Sequence, residues 1–148
     1  MRIQTDFINK IGINALAGAS QLSSIEIPNT VRTIDRNAFE DCTSLSSIVL
    51  PESLQRINKQ CFQGSTSIKT LNIPESVSNI GEDAFYDCAS VDDIYCYPNP
   101  NNLTWEDGEC DDFKADGSTR CHVKPQYLSE YQSFFTGVVN VTFIGDLT

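Results

Sequence analysis

Three prolines spaced 23 residues apart, Pro28, Pro51 and Pro74, divide much of the chain into segments of equal length. Counted from each proline, repeat positions 4, 7, 11, 12, 15, 18, 21 and 23 are apolar in three consecutive segments. An earlier segment begins at Thr5 without a proline and follows the same pattern, and Ser65 at position 15 is the one exception. A period this long predicts a coil of several short elements that repeats and stacks, so that like positions share a continuous core.

Each coil contains a segment with the alternation of a half-buried strand. Positions 21 and 23 are apolar around position 22, and the proline that follows cannot donate a ladder hydrogen bond, so it ends the strand. Positions 8 to 14 predict a single helical turn, with Asp35 and Asn58 as N-caps. The aromatic residues at position 12 are expected to pack inward from that turn, and they are Phe39, Phe62 and Phe85.

The repeat pattern is proline, x, x, Val/Leu, x, x, Ile, then Ala-Phe, x, x, Cys, then Ser-Leu, x, x, Ile, x, Ile/Leu-Pro. It resembles the BspA-like leucine-rich repeats of bacterial surface proteins over residues 5–96. The resemblance implies an α/β fold: a right-handed leucine-rich-repeat solenoid with a parallel β-sheet on one face, short helical turns on the other, and a C-terminal cap. Known members are mostly secreted or surface-attached, which implies an extracellular or cell-surface location and a role in adhesion or protein binding.

The chain is long enough for one domain, which is expected to span residues 1–148. The register supports a fifth coil, because Ile94 and Cys96 lie 27 residues before Cys121 and Val123. The predicted divisions are repeats 5–27, 28–50, 51–73 and 74–96, a degenerate repeat 97–124 with an insertion, and a C-terminal cap 125–148.

The two ends of the array are expected to differ. Tyr127 and Tyr131 have helical spacing and Val141 and Phe143 suit a final strand, which resembles the ending of many members of the family. Such a segment would cover the open end of the core and its unpaired edge. At the other end, residues 2–4 would form an unprotected partial strand, which favours truncation of a longer repeat array.

Composition excludes several kinds of partner. The net charge of −10 opposes binding to nucleic acids and to anionic membrane surfaces. No apolar run approaches the roughly 18 residues of a membrane span, and the first residues lack the pattern of a signal peptide. We therefore expect neither a nucleic-acid partner nor membrane insertion.

Four of the six cysteines occupy apolar positions of the repeat. Cys42 and Cys88 share position 15 two coils apart, so stacking would place them about 10 Å apart, beyond the roughly 7 Å limit for a disulfide. Cys61 replaces the alanine of position 11, and Cys96 fills a strand position. All four are interpreted as small core hydrophobes.

The insertion holds the remaining cysteines and an acidic stretch. Cys110 and Cys121 form a candidate disulfide, with Cys96–Cys110 as the rival pairing. No pair has the Cys-x2-Cys spacing of a zinc site. The acidic stretch 106–117 does not fit a calcium loop because Lys114 takes a ligand position, so we expect a solvated loop and no metal.

The sequence gives no sign of catalysis. His122, the only histidine, lies beside an inward strand residue, so it is expected to point outward into solvent. There is no G-x-S-x-G motif and no Gly-rich phosphate loop, and a hydrolase that uses the acidic loop is a weak alternative because paired carboxylates need a fixed separation. We predict a protein that is not an enzyme and has no cofactor.

The outward strand residues form the predicted binding face, because solenoids present such columns to partners. A protein partner is the leading hypothesis, and a structural spacer within a longer repeat protein is the alternative. A glycan-binding variant would use Tyr95, Tyr97 and Trp105 as an aromatic platform. The candidate ligand contacts are Glu26, Val49, Asn72, Asp93, Tyr95 and Tyr97.

Overall fold

The computed structural model describes residues 8–106, 113–114, 116–134 and 141–148. Its strands are short, because each places only one to three apolar side chains inward before the chain turns. They are β1 (Lys10–Ile11), β2 (Ser24–Glu26), β3 (Thr33–Ile34), β4 (Ser47–Val49), β5 (Arg56–Ile57), β6 (Thr70–Ile73), β7 (Asn79–Ile80), β8 (Asp93–Cys96), β9 (Thr104–Trp105), β10 (Thr119–Val123) and β11 (Val141–Gly145).

All strand pairs are parallel, and they form a solenoid of about five turns. The strands predicted at positions 19 to 23 lie in a two-stranded sheet β2–β4 and, together with β10 and β11, in a four-stranded sheet β6–β8–β10–β11. We call their outward surface the strand face. A second sheet, β1–β3–β5–β7–β9, was not predicted and comes from positions 6 and 7 of each coil. Partners in the regular coils are 23 residues apart, as Ile11 opposite Ile34 illustrates.

The core consists of columns of like residues, as the repeat predicts. The Phe39 and Phe62 rings stack with centroids 5.2 Å apart, and Phe62 and Phe85 stack at 5.6 Å, with planes within 4° of parallel. All three side chains are fully buried. Because successive rings sit one coil apart, the column reports the stacking distance of the solenoid directly, and the prediction that position 12 packs inward is confirmed.

The prediction of a helical turn at positions 8 to 14 is wrong. These residues form successive tight turns, and the residues at positions 10 and 14 have positive φ, which interrupts any helix. Alternate backbone N–H groups therefore point to the next coil, where Phe39 N–H donates to the Cys61 carbonyl at 2.8 Å. The residues with positive φ are Asn14, Asn37, Gln60 and Asp83 at position 10, and Gly18, Asp41, Gly64 and Asp87 at position 14.

The proposed N-caps serve a different purpose. The buried Asp35 carboxylate accepts hydrogen bonds from its neighbour Arg36 N–H at 2.8 Å and from the Asn58 side chain at 3.0 Å, and it pairs with Lys10 at 2.5 Å. The hydrogen bonds from Lys10 and Asn58 lower the pKa of Asp35 to about 2. Asp35 and Asn58 thus link three coils to one another and do not begin a helix.

Position 15 carries a hydrogen bond between coils. The Cys42 and Cys88 thiols donate to carbonyls 26 residues earlier at 3.2 and 3.3 Å, and the Ser65 hydroxyl donates to the Phe39 carbonyl at 2.8 Å. Burial raises the pKa of Cys42 and of Cys61. The reading of these cysteines as buried core residues is confirmed, and Ser65 conforms to the repeat because position 15 accepts a small donor.

The degenerate coil keeps the predicted register. Cys121 lies opposite Ile94 and Val123 opposite Cys96, each 27 residues apart. In the insertion, Phe113 is buried and stacks on Phe85 at 6.0 Å, so the predicted solvated loop is partly anchored in the core.

The C-terminal segment continues the solenoid. A 3-10 helix (Pro125–Tyr127) leads into α1 (Leu128–Phe134), and β11 then pairs with β10 at the end of the four-stranded sheet. The buried Tyr131 hydroxyl donates to the Pro98 carbonyl at 2.8 Å and accepts from the Cys96 thiol at 3.3 Å. Its ring stacks on Phe143 at 6.2 Å. The predicted partial strand at residues 2–4 lies outside the described residues.

Two glycines at repeat position 8 provide a matched test of coil spacing. A Cβ on Gly81 would lie 2.5 Å from the Lys59 backbone nitrogen, whereas a Cβ on Gly12 would meet nothing within 4 Å. Gly81→Ala is expected to lower the free energy of unfolding by about 2 kcal/mol, because backbone must move. Gly12→Ala is expected to be neutral or stabilising by up to about 1 kcal/mol. Urea unfolding measures both, and equal effects would contradict the close stacking of coils three and four.

A second pair of substitutions tests the hydrogen bond at position 15. Ser65→Ala removes the donor to the Phe39 carbonyl and is expected to cost about 1–2 kcal/mol in unfolding free energy. Ser65→Cys restores the arrangement found at Cys42 and Cys88 and is expected to cost less than Ser65→Ala. Thermal and urea unfolding of the two variants would contradict the assignment if alanine were the better tolerated of the two.

Candidate functional site

The strand face places the predicted ligand contacts in two groups. Glu26 on β2 and Val49 on β4 lie opposite each other, and Asn72 on β6 lies opposite Tyr95 on β8. The ladder of hydrogen bonds is not continuous between β4 and β6, although these strands contact each other. Glu26, Val49 and Asn72 are exposed, and the Val49 side chain is 66% accessible.

The remaining predicted contacts are half-buried. Asp93 and Tyr95 lie on β8, and Tyr97 follows it with its N–H donating to the Ile73 carbonyl at 3.2 Å. Asp93 and Tyr95 are covered because the degenerate coil brings β10 alongside, with Arg120 opposite Asp93 and His122 opposite Tyr95. The face therefore changes from open polar and aliphatic surface on β2, β4 and β6 to a packed polar cluster on β8, β10 and β11.

His122 is the centre of this cluster, and the prediction that it is a solvated histidine is wrong. Its side chain is only 12% exposed. The ring stacks on Tyr95 with centroids 4.7 Å apart and planes 12° from parallel. Nε2 lies 2.8 Å from Asp93 Oδ1, and Nδ1 lies 2.9 Å from both carboxylate oxygens of Asp146. We call Asp93, Tyr95, His122 and Asp146 the histidine cluster.

The electrostatics of the histidine cluster favour the imidazolium. Burial alone lowers the pKa of His122, but the hydrogen bonds and charges of Asp93 and Asp146 outweigh it and hold the pKa above its usual value. Conversely, the hydrogen bond from His122, assisted by Arg120, lowers the pKa of Asp93. Arg120 Nε lies 2.9 Å from Asp93 Oδ1, so Arg120 and His122 contact the same carboxylate oxygen.

The geometry of the cluster is suited to structure and recognition. Both imidazole nitrogens already face carboxylates, so neither is placed to accept a proton from a nucleophile or from substrate. The cluster ties β8 and β10 to the segment that follows β11. Among the described residues, no group of three or more His, Cys, Asp or Glu side chains is arranged to hold a metal ion.

The register of the degenerate coil predicts part of the histidine cluster, which the analysis of single residues missed. The 27-residue offset that aligns Ile94 with Cys121 also aligns Asp93 with Arg120 and Tyr95 with His122. Extending the outward columns by that offset predicts two of the pairs in the site. Asp146 had no such signal, because β11 follows a stretch without the repeat pattern.

Two further predictions meet the structure here. Trp105 is 8% exposed and its ring lies 6.1 Å from that of Phe85, so it belongs to the core, and the proposed sugar platform of Tyr95, Tyr97 and Trp105 is wrong as a unit. Cys121 is buried, and a hydrogen bond with Cys96 together with burial raises the pKa of its thiol. Cys110 lies outside the described residues, so a disulfide from it to Cys121 or Cys96 stays a prediction.

The sequence of residues 8–106 matches the family model of the BspA type leucine rich repeat region, in six copies. The chain therefore belongs to the BspA-type leucine-rich-repeat family, as the repeat pattern predicted. A comparison with curated protein sequences gave no match.

Solved structures show the same fold at low sequence identity. A T. pallidum leucine-rich repeat protein matches with a TM-score of 0.71 and 24% identity, over 97% of this chain and 66% of that one. The pneumococcal vaccine antigen PcpA matches with a TM-score of 0.70 and 17% identity, over 95% of this chain and 40% of that one. A leucine-rich cell surface protein of Faecalibacterium prausnitzii matches with a TM-score of 0.64 and 21% identity, over 99% of this chain and 32% of that one. The chain thus spans from about a third to two thirds of the length of these proteins.

No helix in the described parts of the chain combines the length and the apolar composition needed to cross a bilayer.

The pKa of His122 can be measured directly, because it is the only histidine in the chain. We expect its C–H resonance in NMR to titrate above the ordinary value of about 6.5, and Asp146→Asn to move the midpoint down. A midpoint at or below the ordinary value in the unmodified protein would contradict the paired geometry.

The same shift predicts how stability depends on pH. A raised pKa means that the stabilisation by His122 is fully present below about pH 6.5 and is lost as the pH rises through the raised value. The extra destabilisation of His122→Gln is therefore expected to be on the order of 1 kcal/mol at pH 5.5 and smaller at pH 9. Urea unfolding at both values measures it, and a larger effect at pH 9 would contradict the sign.

Proposed function

We propose that this chain is a non-catalytic protein-binding module of a cell-surface or secreted protein, with its partner on the strand face. The observation that carries the proposal is the exposed column Glu26, Val49 and Asn72, which continues into the half-buried Tyr95. The family gives support, and two structural neighbours are named as a vaccine antigen and as a cell surface protein.

The column has the physical properties of a recognition surface. Each outward residue is held by a strand whose inward neighbours, such as Ile25 and Leu71, are buried, so the face is ordered before a partner arrives. Val49 supplies exposed aliphatic area at its centre, and Tyr95 supplies an aromatic ring that the stack on His122 holds in one orientation. Glu26 and the histidine cluster supply charge at either end.

The C-terminal segment completes the proposal. We propose that α1 and β11 act as the predicted cap, since Tyr131 of α1 is buried and β11 pairs along the whole of β10. Such a cap protects the end of the strand face and of the core. The histidine cluster would fasten it, because Asp146 follows β11 directly.

The binding experiment compares two strand-face variants with a control variant, and two of the three changes are matched aliphatic-to-arginine substitutions. The purified chain is immobilised and presented with a detergent-free extract of host-cell surface and matrix proteins, and retained proteins are quantified by mass spectrometry. Val49→Arg and Tyr95→Ala are expected to reduce retention of the partner at least about tenfold. Ile13→Arg is the control, because Ile13 is 52% exposed in a turn away from the strand face.

The outcomes separate the hypotheses. A protein retained by the unmodified chain and by Ile13→Arg, but not by the two strand-face variants, supports the proposal. Equal retention by all variants would move the binding surface off the strand face. Retention of nothing by the unmodified chain would favour the structural-spacer alternative.

A further inference from the structure

Charge is distributed unevenly along the solenoid. Residues 1–59 contain six basic and six acidic residues, whereas residues 60–148 contain four basic and fourteen acidic residues. The net charge of −10 therefore belongs to the C-terminal part, and the first three coils are locally neutral. Within those coils, basic side chains gather around the second sheet.

Five exposed basic residues lie on or beside β1, β3 and β5. Lys10 and Arg56 occupy the outward strand position, and Arg32 precedes β3 with its carbonyl accepting the Arg56 N–H at 3.0 Å. Arg36 and Lys59 share position 9 on successive coils, just after the strands. Neighbouring strands are about 4.8 Å apart, so the group spans about 10 Å across three coils. We call these five residues the basic patch.

Three arginines of the basic patch have no carboxylate partner among the described residues. Lys10 pairs with Asp35 at 2.5 Å and Lys59 pairs with Glu82 at 2.5 Å. The hydrogen bond that Lys59 donates to the Glu82 carboxylate raises the pKa of Lys59, and the nearby charge of Arg36 acts in the opposite direction. The arginines left with unmatched charge are Arg32, Arg36 and Arg56.

We propose that the basic patch is a second binding surface, and that it takes a short stretch of a sulfated polysaccharide. Guanidinium groups match the oxygens of sulfate, and they do so on the exposed surface of a rigid sheet. The area available to an anionic ligand is narrow. On the same side of the solenoid, coils four and five carry the acidic residues Glu82, Asp83 and Glu106. A short, flexible sugar chain can bind the basic patch and end before it reaches these acidic residues.

The same boundary argues against broader polyanions. A nucleic-acid duplex or an anionic bilayer would extend past three coils and meet the fourteen acidic residues of the C-terminal part. An acidic peptide could fit the width, but the patch holds no aromatic residue to anchor one. The inference is independent of the strand face, which lies on the other sheets.

Binding of a size-defined heparin hexasaccharide tests the inference, with affinity measured by calorimetry at 50 and 150 mM salt. The unmodified chain is expected to bind, with affinity falling as salt rises. Arg32→Gln/Arg56→Gln is expected to weaken binding at least about tenfold. Lys69→Gln/Lys124→Gln is the control with the same loss of charge and is expected to change affinity less than about twofold, because both lysines lie away from the patch.

Further arms identify the ligand class. Desulfated hexasaccharide is expected to bind at least about tenfold more weakly, since it lacks the oxygens that arginine would contact. No binding of the sulfated sugar at 50 mM salt, or equal loss in the patch and control variants, would overturn the proposal. Tighter binding of an oligoglutamate peptide or of anionic vesicles than of the sulfated sugar would overturn the assigned ligand. Tyr95→Ala is expected to leave sugar binding unchanged, which separates this result from the fate of the strand-face proposal.

Discussion

Hydrogen bonding between successive coils is the constraint on which the rest of the structure depends. Each coil leaves backbone groups pointing along the solenoid axis, and these are satisfied only by a neighbour of the same length. The strands do this at positions 6 to 7 and 20 to 23, and the turns do it at positions 10, 12 and 14, as Asn37, Phe39 and Asp41 show. Equal coil length follows from that requirement, and equal length brings like side chains together into columns.

The sequence predicted the columns better than it predicted the local conformation. Apolar periodicity located Phe39, Phe62 and Phe85 in one stack because burial depends on period alone. The sequence predicts a helical turn between the strands, because Asp35 is a residue type that is common at helix N-caps. The structure has successive tight turns there. Asn37 and Asp41 indicate the tight turns, since Asn and Asp tolerate positive φ and residues with positive φ recur at positions 10 and 14. The second sheet was missed because its two-residue strands are too short to show alternation.

The histidine cluster shows where a repeat pattern stops being informative. The sequence places Tyr95 on the predicted binding face, and the 27-residue register aligns it with His122. The environment of His122, however, also depends on Asp146. That residue reaches the site through a stretch outside the repeat, so no periodicity predicts its approach. Once two carboxylates flank the ring and raise its pKa, the imidazole is held by hydrogen bonds on both sides, and an outward-facing residue can then be largely buried.

The division between core and surface explains how one fold carries different surface chemistry. Inward residues such as Ile34 and Ile57 have no freedom, because each must fit the same column. Their outward neighbours Thr33 and Arg56 occupy equivalent backbone positions and differ in size and charge without altering the register. Proteins less than 25% identical can therefore share the solenoid. The backbone fixes where the outward side chains stand, and both proposed binding surfaces depend on the identity of those outward residues.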